Sequence, residues 1–271
     1  MTGAERFKSR LRTEVLTHPV IRSNPYTQWF EQGDISLPQA RAFVVQFSVF
    51  SNQFLRAQLN KMLNAQTLET MRASKEILVN ELGVGFRSGA RPDDADLGSL
   101  SGSVEGGAFR FGAAHFELLV RTARGLGLDF ADLGHLSLGT EATREYCRAL
   151  IRLYGSEDYA TAEAASWAVE NWAAAGFWDQ LVAGWRIFRT RRGLPRLDLA
   201  FFTWHARLEA NHARHTWDEL EQWYGSHAID EDAFVETAHE MLDAVAAFWT
   251  GLDEQRKRLA DSGGVQWHAA S

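Results

Sequence analysis

Proline placement limits this chain to helices more than any other feature. Of five prolines, none lies between Pro92 and Pro195. A helix interior rejects proline, because the ring removes a hydrogen bond and clashes with the preceding turn. Through most of this stretch, from about residue 112 onward, and on both sides of it, apolar residues recur at helical spacing. No pair of alternating strands around a turn signal stands out. The expected class is all-α. Helices are expected over 3–16, 37–63, 66–82, 112–126, 139–154, 157–188, 197–224 and 230–260, with a short one from Ser23-Asn24-Pro25 to Trp29. Ser36 with Pro38 just inside the next helix is a strong start signal. The Trp-rich stretch 157–188 reads as one helix kinked at Gly176. Residues 83–112 are Gly-rich and lack periodicity. A loop of that length inside a domain calls for a function. No repeat and no linker divides the chain, so one domain spanning 1–271 is expected.

Composition excludes several function classes. Hydrophobic residues make up 45% and charged residues 23%, as in globular proteins with a sizeable core. The formal charge of −7 argues against a nucleic-acid partner, which selects a basic face. The short basic run Arg186, Arg189, Arg191, Arg192 reads as a solvated helix end, where it suits the helix dipole. The single cysteine, Cys147, permits no internal disulfide, and its apolar helical setting suits a core residue. The N-terminus lacks an apolar signal core, and no apolar run approaches a membrane span. A cytoplasmic location is the expectation.

The chemistry concentrates in the segment Trp204–His215. A helix advances 100° per residue, so Glu209 lies about 40° from His205 and His212 about 20° to its other side. Two imidazoles and a carboxylate on one face suit a first-row metal, iron in particular. The same spacing also suits an exposed face on which Arg207 and Arg214 form ion pairs. His215 is turned about 80° from His205 and is read as an outer neighbour. A second metal ion needs ligands from other helices, and three residues are candidates. Glu81 ends a helix, where a carboxylate opposes the dipole. His115 is flanked by apolar residues. Glu170 sits among tryptophans and alanines, where a carboxylate calls for a cation. Glu163, seven residues earlier, is roughly 10 Å away along the axis and is a weaker candidate. Trp167, Trp172, Phe177 and Trp178 could line a pocket beside Glu170.

These motifs resemble the haem-oxygenase-like diiron oxidases, relatives of the TenA and PqqC proteins. The resemblance covers most of the chain. Trp29, Gln32-Gly33-Asp34-Ile35-Ser36 and Phe43–Phe47 are similar to the opening helices. Asn80–Gly85, His115–Leu119 and Gly125–Asp129 resemble the segment that carries a Glu and then a His ligand. His205-x3-Glu209-x2-His212 resembles the closing triad, with Glu in place of the more common Asp. The resemblance implies a TenA/PqqC-like helical bundle and six metal ligands: Glu81, His115, Glu170, His205, Glu209 and His212. It implies two iron ions, O2 as co-substrate and a small-molecule substrate. It also implies a homodimer. An external electron donor is a further expectation. The reaction implied is amine N-oxygenation, desaturation, or oxidative C–C cleavage of an amino or fatty acid. The spacing departs from the family in one respect: 33 residues separate Glu81 from His115, where about ten or fewer are usual. Residues 51–55 carry no carboxylate, so no seventh ligand is expected there.

Three other readings compete. A ferritin-like di-iron bundle finds two Glu-x-x-His motifs, at Glu209/His212 and Glu236/His239, but on consecutive helices. A metal-free TenA- or PqqC-like enzyme shares the expected fold. A non-catalytic helical binding protein is the third.

Overall fold

The computed structural model describes residues 2–86, 109–226 and 228–261, without the side chains of 73, 76, 85, 86, 109–111, 208–215 and 226. Eleven α-helices occur among the described residues. They are α1 Gly3–Glu14, α2 Pro19–Arg22, α3 Pro25–Glu31, α4 Leu37–Leu63, α5 Leu68–Glu81, α6 His115–Gly125, α7 Glu141–Leu153, α8 Tyr159–Ala173, α9 Phe177–Arg191, α10 Ala200–Ser226 and α11 Glu231–Asp261. The all-α expectation holds. No helix among the described residues is long and apolar enough to cross a membrane.

Local chemistry sets the helix starts. Ser36 accepts the backbone N–H of Gln39, whose side chain accepts the N–H of Ser36 in return. This capping box, with Pro38 in the first turn, anchors α4 where the sequence signal places it. Along α4, Phe43, Phe47 and Phe50 follow helical spacing and pack at 5.3 Å (tilted) and 5.2 Å (edge-on) between ring centroids. They form the spine against which α7 and α11 pack. α8 is buried on nearly every face, between α10 and α11. A helix buried all round must match every polar side chain it carries, and this sets the problem posed by Glu163 and Glu170.

Two features depart from expectation. Residues 157–188 are two helices, not one kinked helix. Gly176 adopts φ +89°, a left-handed conformation that separates α8 from α9 and sends α9 off to pack on α3 and α10. α9 then crosses α3 so closely that a Cβ on Gly184 would stand 2.0 Å from the Phe30 carbonyl oxygen. The second departure is a short strand pair. Val84–Phe86 (β1) runs antiparallel to Phe109–Phe111 (β2), with Gly85 opposite Arg110. Three residues are too few to show alternation, and the partners lie far apart in the sequence. The ribbon holds the two ends of the Gly-rich insertion; residues 87–108 lie outside the described residues.

Candidate metal centre

Three helices place Glu81, His115 and His205 together. Glu81 is the last residue of α5 and His115 the first of α6. Between them, Gly83 takes φ +68°, and its carbonyl accepts the N–H of Gly112 at 2.7 Å. The ribbon continues that pairing, so α6 begins where α5 stops. His205 comes from the second turn of α10. All three residues are buried, and each offers one ligand atom within 4.8 Å of the others.

Hydrogen bonds define the state of both rings. The Nδ1–H of His205 donates to the Phe201 carbonyl at 2.7 Å, which leaves Nε2 as the ring atom able to offer a lone pair. A backbone carbonyl behind one ring nitrogen is the usual way a ligating histidine is oriented. Trp178 stacks on the same ring at 4.5 Å and holds its plane. At His115, the indole N–H of Trp204 donates to Nε2 at 2.9 Å. An indole can only donate, so Nε2 accepts and the ring is neutral, with its proton on Nδ1. That Nδ1 stands 2.9 Å from Oε2 of Glu81, off the line a ring N–H bond requires. His115 thus gives Glu81 no positive charge. A carboxylate buried at the negative pole of its own helix is stabilised by a cation. Two imidazoles and this carboxylate are a donor set that fits a first-row metal ion.

Glu170, on α8, faces the same space. It lines a cavity of about 40 Å³ together with Glu81, His205, Phe50, Trp172 and Trp178. The hydroxyl of Tyr154 donates to its Oε1 at 3.2 Å. Gln58 donates in turn to the Tyr154 hydroxyl. Of the four aromatic residues expected near Glu170, Trp172 and Trp178 reach the cavity. Trp167 instead packs edge-on against Trp217 at 4.9 Å, and Phe177 stacks on Trp172 at 4.7 Å. Glu209 and His212 follow His205 on α10, and their side chains lie outside the described residues, as does that of His215. Cys147 is buried, and burial pushes its thiol up to about 12, as befits a core residue.

Glu163 belongs to a different arrangement. Its Oε2 stands 2.9 Å from the ammonium of Lys61, which also donates to Ser166 at 2.9 Å and lies 3.6 Å from Glu219. Burial pushes Glu163 up to about 7, against the pull of Lys61. Burial works against the Lys61 ammonium too, but Glu163 and Glu219 outweigh it and raise its pKa. Sequence reasoning missed Lys61. The one signal was Glu163 itself: a carboxylate on a Trp- and Ala-rich helix requires a cation, and the cation is Lys61.

No protein-family model matches the sequence, and no curated protein does. Solved structures do match. A domain of unknown function with a haem-oxygenase-like fold, from Shewanella denitrificans, aligns over 100% of both chains at TM-score 0.66 and 13% identity. The chain has the haem-oxygenase-like fold. A CADD-like protein of unknown function from Nostoc punctiforme matches at TM-score 0.61 and 18% identity, over 93% of this chain and 98% of its own. A TenA homologue from Pseudomonas syringae pv. tomato matches at TM-score 0.61 and 11% identity, over 93% and 91%. The haem-oxygenase-like, TenA-like bundle is therefore the frame in which Glu81, His115 and His205 meet.

Proposed function

We propose that this chain is a non-haem diiron oxidase or oxygenase that activates O2 to oxidise a small substrate. The observation that carries the reading is the buried cluster of Glu81, His115 and His205, with Glu170 on the wall of the same cavity. Glu209 and His212 complete a six-ligand set from two further turns of α10. Imidazoles with carboxylates suit iron and leave room for an exogenous ligand. When bound, the irons supply the electrons and the Lewis acidity that O2 activation requires.

The chain's own residues do the positioning. Phe201 and Trp178 hold His205 in one tautomer and one plane. Tyr154 fixes a Glu170 oxygen. Phe50, Trp172 and Trp178 keep the cavity narrow and apolar, which excludes bulk water from a reactive centre. The reaction proposed is N-oxygenation of an amine, desaturation, or oxidative C–C cleavage. Where such an oxidation removes fewer electrons from the substrate than O2 accepts, an external donor supplies the rest. A homodimer in the cytoplasm, with no nucleic-acid or membrane partner, completes the proposal.

The test is an anaerobic Fe(II) titration followed by exposure to O2. The expected result is about two irons per chain and a transient visible absorption. Glu209→Ala and His212→Ala are expected to lower the stoichiometry. No iron uptake, or uptake indifferent to both substitutions, would sink the proposal.

A further inference from the structure

Trp204 belongs to two places at once. Its indole N–H holds His115, and its ring lines a separate cavity of about 350 Å³. Three arginines line that cavity: Arg186 and Arg189 from α9, and Arg207 from α10. Residues three apart share one helix face, so Arg186 and Arg189 project together. The one acid in the lining is Asp198, and its Oδ1 already accepts the Ala200 N–H at 2.8 Å. Arg186 and Arg189 form no ion pair among the described residues. Leu118 and Leu199 supply apolar wall.

The basic run alone reads as a solvated helix end, since cations suit the last turns of α9. Arg207 reaches the same lining from another helix, α10. Arg186 and Arg189, neighbours on one face of α9 at the rim of this concavity, repel each other. An entering anion relieves that repulsion and accepts forked hydrogen bonds.

We propose that this cavity binds the anionic group, carboxylate or phosphate, of the small molecule on which the metal centre acts. Arg186, Arg189 and Arg207 hold the anion, and Trp204 is the wall between it and His115. The assignment to a substrate rests on the diiron reading; the anion site itself does not. A ligand anchored here touches the ring whose N–H holds a metal-cluster histidine, so anion and metal bind next to a shared side chain.

The test is calorimetric titration of the full chain with hexanoate and, separately, with inorganic phosphate. It is run on the native protein, on the Arg186→Gln/Arg189→Gln variant, and on Arg191→Gln, an exposed neighbour outside the cavity. Saturable binding of one probe is expected, weakened about tenfold or more in the double variant and unchanged in Arg191→Gln. Preference for hexanoate assigns a carboxylate beside an apolar tail; preference for phosphate assigns a phosphate group. No saturable binding by the native chain, or equal weakening in Arg191→Gln, overturns the proposal even where iron binds. The same variants are titrated with Fe(II). Arginine-dependent anion binding without iron uptake by the native chain overturns the diiron reading and leaves the anion site standing.

Discussion

Nδ1 of His115 and Oε2 of Glu81 stand 2.9 Å apart, although residues 82–114 separate them in the chain. The closure is local. Gly83 turns left-handed, Gly112 returns to its carbonyl, and β1 pairs with β2. Once those ends are paired, the length of the insertion no longer affects the distance between the two side chains. Loop length enters closure only logarithmically, and the ribbon offsets that cost.

Gly83 is the sensitive point of this device. A Cβ there would meet the Ala113 carbonyl oxygen at 2.7 Å, on a backbone at φ +68°. Gly83→Ala is expected to cost about 1–3 kcal/mol of stability. It should also weaken metal binding, by moving His115 away from Glu81. Urea denaturation and a Co(II) titration check both parts. A variant with native stability and native metal affinity would refute the role given to the turn.

Trp204 opposes the metal at His115. A metal held through Nε2 would take the lone pair that the indole N–H now uses, and one held through Nδ1 would require the ring proton on Nε2, donor to donor with the indole. Either way the 2.9 Å bond would be lost. Trp204→Phe removes that competitor. The metal-free protein is expected to lose about 1 kcal/mol of stability, while Co(II) binds several-fold more tightly. Equal or weaker Co(II) affinity in a folded variant would count against the mechanism.

Lys61 is a buried cation between Glu163 and Glu219. Lys61→Met strands a fully buried carboxylate and is expected to cost about 3–5 kcal/mol. Adding Glu163→Leu removes the stranded charge and should recover most of that loss. Chemical denaturation of the two variants decides it. No recovery in the double variant would mean that packing, not charge, dominates the site.

Glu163 also gives stability a pH dependence. Its pKa is raised from 4.5 to about 7 in the folded chain. The folded state therefore holds the proton more tightly than the unfolded state does. The resulting stability is fully present below about 4.5 and is lost as pH rises through about 7. Glu163→Gln lacks this component. Denaturation curves collected across that window should converge differently for the two proteins, with the native chain declining more steeply. Parallel curves would show that Glu163 does not titrate there.

Much of this architecture was legible because it is local. Ser36 and Pro38 announced α4, and the proline-free stretch announced helices. The rest was hidden for physical reasons. Gly176 reads as a kink or as a turn until tertiary packing decides where the next helix goes, here onto α3 and α10. The ribbon at β1 and β2 is too short to leave a periodic trace. The carboxylates at Glu163 and Glu170 look alike in sequence, both set among alanines and tryptophans.

By itself, the sequence determined the helical class, because periodicity acts over a few residues, and it named Glu81, His115, Glu170 and His205 as candidate donors. Only the tertiary structure decided who meets whom. It brought Glu81 to His115 across the insertion, joined Glu163 to Lys61 instead of to the cluster of Glu81, His115 and His205, and set three arginines around the cavity behind Trp204. Those pairings depend on backbone turns at single glycines and on helices that cross, and no local pattern encodes a distance between residues far apart in the chain.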